Sequence, residues 1–416
     1  MSGETLAIEA LGHGGDGVAR GADGPVHVPF TLPGETVAAA VSKGHGTLIS
    51  LRQSSPERVA PPCPHFGPDG ENGTCGGCAL QHAGDRLYRD FKRSLVVDAL
   101  SARGLDAPVA ALLPCGPRER RRVTLTARRT ERGLLLGYNQ AQSHHIVAVS
   151  DCPIASDGIV GKLAAIRAIA AAIAVNAEPF RVTVLETMTG LDLAFEGIKA
   201  IDDRQRRATV TATLAARGIA RVTLNAEIVV EPVRPVLDFG GVPVSPPPGG
   251  FVQATRAAEE AMAEIVLGHV GKAKRIADLF AGSGTFALRL ARIGRVHAVE
   301  GDGPALAALD HAARNMQGLK PVTVEKRDLF RRPLMTSELK VYDAVVFDPP
   351  RAGAEAQMRE LAKSGVRRVA AVSCNPVTLA RDLKILTETG YAIRSVTPID
   401  QFLWSAHVEA VALLER

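Results

Sequence analysis

Three features that are scarce or absent in this 416-residue sequence limit the classes of protein to which it can belong. Aromatic residues make up only 4% of the chain. No run of 18 uncharged apolar residues is present, so we expect no membrane span. The start, MSGETLAIEALGHGGDG, has no basic segment followed by an apolar one, so we expect no secretory signal. The net charge of +5 permits a nucleic-acid partner without requiring one.

The chain has six cysteines, few for its length, and three of them are clustered between residues 63 and 78. Without an export signal, this usage favours the reducing cytoplasm, where clustered cysteines indicate a metal site before a disulfide. The length predicts two to three domains with enough core to fold, and we expect a monomer.

One stretch organises the chain: residues 276–290, IADLFAGSGTFALRL. An apolar run leads into a glycine turn, and a helix-like apolar pattern follows, which predicts a buried strand, a tight loop and a helix. Gly282 and Gly284 allow a sharp turn and the close approach of a ligand. In an α/β sheet, ligands bind at the carboxyl ends of the strands, where this loop must lie. A tight turn without a ligand is the alternative.

Three later segments favour a ligand site. VHAVEGD ends a predicted strand at Glu300, about 20 residues after the glycine loop, where an acid holds ribose hydroxyls in a βαβ unit. The loop is neither G-x-G-x-x-G nor a Walker lysine loop, so pyrophosphate is not the predicted ligand. YDAVVFDPPR and VAAVSCNPVTLARD are two further predicted strands, and they end at Asp348 and Cys374.

These motifs together resemble a class I S-adenosylmethionine-dependent methyltransferase. The DPPR and SCNPVTLARDL pair, with a closing HVEAVALLE, is similar to the RNA 5-methyluridine methyltransferase family. Over nearly the whole chain, the sequence resembles the 23S rRNA uracil-5-methyltransferases that carry an iron-sulfur cluster. The resemblance implies a Rossmann-like α/β catalytic domain, S-adenosylmethionine as cofactor and 23S rRNA as substrate.

Three domains are predicted. Short strand-like runs with glycine and proline turns indicate a small β-barrel over residues 1–53, which resembles the OB-like TRAM domain and would bind RNA, or would serve only as a packing module. A central α+β domain over 54–240 contains the cysteines and a basic strand. In that strand, residues 117–133 include seven arginines, which would face RNA phosphates or form a solvated surface. Residues 241–416 form the methyltransferase domain.

The central domain contains the predicted metal ligands. Cys75 and Cys78 form a C-x-x-C pair that points two thiolates at one centre, and Cys63 precedes it. Cys152, in a Cys-Pro context, is the candidate fourth ligand. Thiolates suit zinc or an iron-sulfur cluster, and spacing does not choose between them. The family resemblance favours [4Fe-4S], with zinc as the alternative.

The resemblance also implies a set of cofactor-binding residues. Gln253 matches the glutamine of the family's Phe-x-Gln-x-Asn signature, while Thr255 replaces the asparagine. Glu300 would bind the ribose hydroxyls and Asp328 would lie by the adenine. Asp348 would bind the cofactor or orient the target base. The loop residues that would line the cofactor site are Phe280 and Thr285.

Methylating carbon 5 of uracil needs a nucleophile and a base, because that carbon is itself a weak nucleophile. A thiolate added to carbon 6 makes carbon 5 electron-rich, and a base then removes the carbon 5 proton. Cys374 is the predicted nucleophile, and we expect the helix after it to lower its pKa. Glu409 is the predicted base, with a pKa raised at the sheet edge; His407 is the alternative.

Two other functions stay open. A tRNA uracil-5-methyltransferase would use the same chemistry, but the barrel and the cysteines favour the rRNA enzymes. A cluster-dependent RNA-binding protein with an inactive methyltransferase domain would not need Cys374 and Glu409. In either case, the target nucleotide of an active enzyme must leave its stack to reach the cysteine.

Overall fold

The computed structural model describes residues 3–416, which form a barrel, two seven-stranded sheets and a two-stranded pair. Met1 and Ser2, the first residues of the predicted barrel domain, lie outside that range. The boundaries predicted at residues 53 and 240 stay predictions. Within residues 3–416, no helix combines the length and the apolar character that crossing a bilayer requires.

The N-terminal strands close into a barrel in the order β1-β2-β3-β5-β4. They are β1 (Glu4–Leu11), β2 (Gly17–Gly21), β3 (Gly24–Val28), β4 (Thr36–Ser42) and β5 (His45–Gln53). Alternate apolar side chains, such as Leu6, Val28 and Val37, point inward and fill the barrel. The sequence pattern thus predicted the architecture of this part correctly.

The second sheet has the order β12-β11-β10-β9-β6-β7-β8, and all of its neighbours are antiparallel except β10 and β11. Its strands are β6 (Arg122–Thr130), β7 (Gly133–Asn139), β8 (Ile146–Ala148), β9 (Phe180–Thr187), β10 (Gly190–Glu196), β11 (Ile219–Leu224) and β12 (Glu227–Val230). The helices of this part are α1 (Asp85–Ser101), α2 (Asp157–Val160), α3 (Leu163–Ile173) and α4 (Asp203–Ala215). Apolar residues at helical spacing on α3, including Ile166 and Ile169, pack on one face of the sheet.

A short pair, β13 (Leu237–Asp238) and β14 (Pro243–Val244), leads to the third sheet, whose order is β17-β16-β15-β18-β19-β21-β20. Its strands are β15 (Arg275–Leu279), β16 (Arg295–Glu300), β17 (Val322–Lys326), β18 (Ala344–Phe347), β19 (Arg368–Ser373), β20 (Ala392–Ile399) and β21 (Glu409–Glu415). The helices around it are α5 (Arg256–Val270), α6 (Ala287–Leu290), α7 (Gly303–Asn315), α8 (Thr336–Leu339), α9 (Glu355–Leu361) and α10 (Pro376–Thr387). Only β21 runs antiparallel to its neighbours.

This third sheet is an open, doubly wound α/β sheet. Its central strands, β15, β18, β19 and β21, are mostly buried because helices cover both faces. The strand order reverses at β15, which has β16 on one side and β18 on the other. A crevice forms where the order reverses, at the carboxyl ends of the strands, and ligands of such sheets bind there.

Candidate functional site

The glycine loop turns at the carboxyl end of β15. Gly282 and Gly284 have φ angles of 53° and 103°, which glycine adopts readily. A Cβ atom on Gly284 would lie 2.9 Å from the side chain of Leu288, so no larger residue fits there without a shift. Phe280 also has a positive φ, 60°, which is a strained conformation for an aromatic residue. Strain of this kind is concentrated at ligand sites.

Glu300 lies at the end of the neighbouring strand and holds the loop. Its carboxylate accepts the N–H of Gly282 at 2.9 Å and the N–H of Asp302 at 2.7 Å. Asp328, after β17, is exposed and accepts the N–H of Phe330 at 3.0 Å. The rings of Phe280 and Phe330 lie 5.4 Å apart. Phe330, which the sequence analysis did not name, thus places the loop after β17 against the glycine loop.

Gln253 and Asp348 meet on the other side of β15. The side-chain Nε2 of Gln253, a buried residue, donates to Asp348 Oδ2 at 2.9 Å, although 95 residues separate the two in sequence. Burial raises the pKa of the Asp348 carboxyl to about 7, and the hydrogen bond from Gln253 opposes that shift. Thr285 lies one turn further along the glycine loop, and its carbonyl accepts a hydrogen bond from Arg289 at 2.7 Å.

The register of β19 and β21 brings Cys374 next to Glu409. Ser373 pairs with Ala410 in this antiparallel ladder, so Cys374, the residue after β19, lies opposite Glu409, the first residue of β21. Glu409 is 2% exposed, and burial raises the pKa of its carboxyl well above the ordinary value, with Asp348 adding to the effect. One of its oxygens, Oε1, is buried and has no hydrogen-bond partner among residues 3–416. A predicted nucleophile and a predicted base thus share one edge of the sheet.

The expected lowering of the Cys374 pKa is wrong for this structure. Helix α10 does begin directly after the cysteine, with Asn375 as its cap: Asn375 Oδ1 accepts the N–H of Val377 at 3.1 Å. Burial nevertheless raises the pKa of the thiol to about 11, and the carboxyls of Glu409 and Asp348 raise it further than Arg351 lowers it. Desolvation and two acids outweigh one helix terminus.

Two further residues of this site were not identified from the sequence. Asp278 lies inside strand β15, fully buried, and neither of its carboxylate oxygens has a partner among residues 3–416. Burial raises the pKa of this carboxyl well above its usual range. The sequence did contain a signal for Asp278, because burying an acid within an apolar strand costs free energy that a functional role would explain. Gln401, between β20 and β21, hydrogen-bonds both Gln253 and Glu409, and no spacing pattern predicts this contact.

The basic strand is only in part available to RNA. Arg121 is buried, and its guanidinium pairs with Glu259 of α5, which also pairs with Arg289 at 2.8 Å. Arg129 donates to carbonyls at the end of α3. Arg121 therefore has a protein partner, and the exposed Arg129 uses two of its donors on protein carbonyls, while the phosphate contacts of the strand stay a prediction. Arg122 forms no ion pair with any of residues 3–416, and it lies over the exposed ring of Phe251, 5.9 Å from its centre.

All four cysteines predicted as metal ligands line one cavity of about 490 Å³: Cys63, Cys75, Cys78 and Cys152. The same cavity is lined by Cys374, Arg351, His407 and Phe251, so the cysteines and the sheet edge share one space. Burial raises the pKa of the Cys78 thiol to about 12. Over residues 3–416 there is no group of three or more His, Cys, Asp or Glu side chains placed to hold a metal ion.

The fold and the crevice define an α/β methyltransferase with an N-terminal barrel of the OB type. A family model described as tRNA (uracil-5-)-methyltransferase matches residues 135–416. A relative from Rhizobium meliloti, named an uncharacterized RNA methyltransferase, is 70% identical over the full length of both chains. A 23S rRNA (uracil(1939)-C(5))-methyltransferase from Halomonas elongata is 33% identical, covering 99% of this chain and 89% of the relative.

A solved structure shows the same fold over the whole chain. The tRNA (uracil-54, C5)-methyltransferase of Pyrococcus abyssi, in complex with S-adenosyl-L-homocysteine, has a TM-score of 0.75 and 22% identity over 99% of both chains. The chain belongs to the RNA uracil-5-methyltransferase family, whose members depend on S-adenosylmethionine.

Proposed function

We propose that this protein transfers a methyl group from S-adenosylmethionine to carbon 5 of a uridine in 23S rRNA through a covalent adduct between Cys374 and carbon 6. The observation that carries the proposal is the pairing of β19 with β21, which sets Cys374 opposite Glu409 at the carboxyl edge of the sheet. Nucleophilic addition and proton removal at adjacent ring carbons need two such groups side by side.

In this mechanism the Cys374 thiol, whose pKa burial raises to about 11, first loses its proton to solvent. The thiolate then bonds carbon 6 and the uracil ring becomes an enolate. Carbon 5 takes the methyl group that S-adenosylmethionine supplies. Glu409 then removes the carbon 5 proton, the ring double bond re-forms, and the carbon 6–sulfur bond breaks to release Cys374. The raised pKa of Glu409 makes its carboxylate, once ionised, a stronger base toward the carbon 5 proton.

The residues of the crevice fit the cofactor. Glu300 has the place of the acid that binds ribose hydroxyls, at the end of the second strand of the βαβ unit. Phe280 and Phe330 offer apolar faces beside Asp328 for the adenine. Burial raises the pKa values of the Asp348 and Asp278 carboxyls, and a cationic methyl donor bound beside them would favour their ionised forms. We assign Gln253 and Thr285 to the same site.

We also propose that Cys63, Cys75, Cys78 and Cys152 hold a [4Fe-4S] cluster. Four thiols around one cavity form a soft donor set, which suits iron-sulfur clusters and zinc. The cluster would supply a cross-link between the segment before α1 and the second sheet. Anaerobic purification should give brown protein with about four iron and four sulfide per chain. Colourless protein with stoichiometric zinc would contradict the cluster.

The RNA substrate is proposed from the Halomonas relative, which is named for 23S rRNA. The barrel does not choose between rRNA and tRNA, because the Pyrococcus tRNA enzyme matches this chain over 99% of its length. Methyl transfer from labelled S-adenosylmethionine to unmodified 23S rRNA and to unmodified tRNA separates the two. We expect 5-methyluridine in 23S rRNA only; product confined to tRNA would make tRNA the substrate.

The same assay tests the binding-only alternative. A protein with an inactive methyltransferase domain would bind both S-adenosylmethionine and RNA without forming 5-methyluridine. The intact pair of Cys374 and Glu409 favours an active enzyme.

A further inference from the structure

A strap over residues 400–408 joins β20 to β21 and crosses the site, and buried contacts hold it in place. Asp400, its first residue, accepts hydrogen bonds from Lys92 at 2.8 Å and from Tyr88 at 2.6 Å, both on α1. Further along, the carbonyl of Trp404 accepts the backbone N–H groups of Ala79 and Leu80. The strap is therefore fixed on both sides of Gln401, the residue that follows Asp400.

The orientation of the Gln401 amide is set by the backbone. Its Oε1 accepts the N–H of Ala254 at 2.9 Å, and a backbone N–H can only donate. Nε2 must then be the opposite end of the amide, with two hydrogens to donate. One goes to Gln253 Oε1 at 2.8 Å and the other to Glu409 Oε2. The amide of this buried side chain thus uses both of its hydrogens and its oxygen.

A chain of hydrogen bonds follows from this orientation. Because Gln253 Oε1 is an acceptor, its Nε2 is the donor to Asp348. Two amides thus connect two buried carboxyls, Asp348 on the proposed cofactor side and Glu409 beside Cys374. Gln401 occupies Oε2 of Glu409, whereas Oε1 is buried and unpartnered among residues 3–416. One oxygen of the proposed base is held and the other is left free.

We propose that Gln401 is a positioning residue for the base: it holds Glu409 Oε2 so that Oε1 is free to take the carbon 5 proton of the methylated adduct. This inference rests on the proposed function. In the step concerned, the carbon 5–hydrogen electron pair forms the carbon 5–carbon 6 double bond. The carbon 6–sulfur bond breaks with its electrons on Cys374, and the proton ends on Glu409. Gln401 is needed only after methyl transfer.

Gln401→Met tests the inference, because methionine keeps the length of the side chain but cannot donate the hydrogen bonds. We expect kcat on uridine-containing RNA to fall about tenfold or more with the KM for RNA unchanged. This loss should exceed any rise in the KM for S-adenosylmethionine that follows from the lost contact with Gln253. RNA containing 5-fluorouridine, which cannot lose its substituent at carbon 5, should form the covalent complex at the wild-type rate. With ordinary RNA, the variant should accumulate the same kind of complex.

Gln357→Met is the matched control. Gln357, on α9, is also a buried glutamine. Its amide accepts the backbone N–H of Leu334 and donates to the carbonyl of the same residue. Gln357→Met should lower the stability of the protein, but it should not lower turnover while leaving covalent trapping unchanged. If Gln401→Met folds poorly, Gln401→Asn replaces it, because asparagine is too short to reach Glu409 in the same way. It should also lower turnover and leave covalent trapping unchanged.

Two results would overturn the inference: unchanged turnover in Gln401→Met, or an equal loss of turnover and of trapping, which would mean that Gln401 supports binding or folding. Wild-type protein that forms no 5-methyluridine would instead contradict the proposed function, and the inference with it. The wild-type assay therefore tells the two failures apart.

Discussion

The Asp348 carboxyl is enclosed beside other acids, and this placement costs stability. Its pKa is raised from 3.8 to about 7 by burial, so the folded protein holds a proton that the unfolded chain releases. Between about pH 4 and 7 the folded state binds more protons, so stability falls as the pH rises through this window. The residue destabilises the fold at neutral and alkaline pH, as groups selected for function often do.

We therefore predict that Asp348→Asn stabilises the protein at pH 8 while it weakens methyl transfer. Asparagine can still accept the hydrogen bond from Gln253, but it carries no charge to bury. Thermal unfolding of both proteins at pH 5 and pH 8 measures the effect, and the gain should be larger at pH 8. Asp310→Asn, at a surface pair with Arg314, is the control and should change the free energy of unfolding by less than about 0.5 kcal/mol. A gain equal at both pH values would contradict the buried-charge explanation.

At the scale of single residues, the sequence motifs pointed to the two residues proposed to react, Cys374 and Glu409, but not to the groups around them. Cys374, Glu409, Glu300 and Asp348 each stand at a strand end within a recognisable motif. Gln401 contacts Gln253 across 148 residues of sequence, and only the folded sheet brings the two amides together. The direction of the Cys374 pKa was predicted incorrectly for the same reason, since burial raises it most and the two acids that add to the effect come from other strands.

Among the elements, helix α5 links the two sides of the crevice through one buried acid. Glu259 is 0% exposed and pairs with Arg121, whose guanidinium also donates to the Gln253 carbonyl at 3.1 Å. It also pairs with Arg289, which holds the carbonyl of Thr285. A single carboxylate thus supports both the glutamine segment and the glycine loop.

We predict that Glu259→Gln lowers the free energy of unfolding by about 3–5 kcal/mol, because two buried guanidinium groups lose their counter-charge. Binding of S-adenosylhomocysteine should weaken in the same variant, since the backbone of both segments loses its anchor. Denaturant unfolding and calorimetry measure the two effects. Glu260→Gln, the next residue, removes a surface pair with Arg256 and should cost less than about 0.5 kcal/mol. Similar effects of the two changes would refute the linking role of Glu259.

The sequence predicted the barrel and the strands that end at Glu300, Asp348 and Cys374, because their patterns are local. The barrel strands alternate as expected. The place of β21 between β19 and β20 could not be predicted from periodicity. That insertion is what sets Glu409 opposite Cys374.

At the scale of the whole molecule, one apolar cluster crosses the predicted domain boundaries. Leu32 of the barrel segment, Leu80, Tyr88 of α1 and residues of the third sheet belong to the same cluster, and Trp404 of the strap packs against it. Trp404 is the only tryptophan of the chain, so its fluorescence reports on the strap. We expect the barrel and the strap to unfold together.

Leu32→Ala tests this cooperativity. Leu32 is fully buried, and removing its side chain should cost about 2–5 kcal/mol. The denaturant midpoint of Trp404 fluorescence should fall together with the midpoint of circular dichroism. Leu51→Ala, an exposed position of the same barrel, should leave both midpoints nearly unchanged. A fluorescence midpoint unaffected by Leu32→Ala would show that the barrel unfolds independently.

The covalent adduct is the most direct test of the account as a whole. Wild-type protein is incubated with S-adenosylmethionine and 5-fluorouridine RNA, digested with nuclease and protease, and analysed by mass spectrometry. We predict a methylated 5-fluorouridine nucleotide on the peptide that contains Cys374, and no such product with Cys374→Ala. An adduct on one of the other five cysteines, or 5-methyluridine formed from ordinary RNA by Cys374→Ala, would contradict the assignment of the nucleophile.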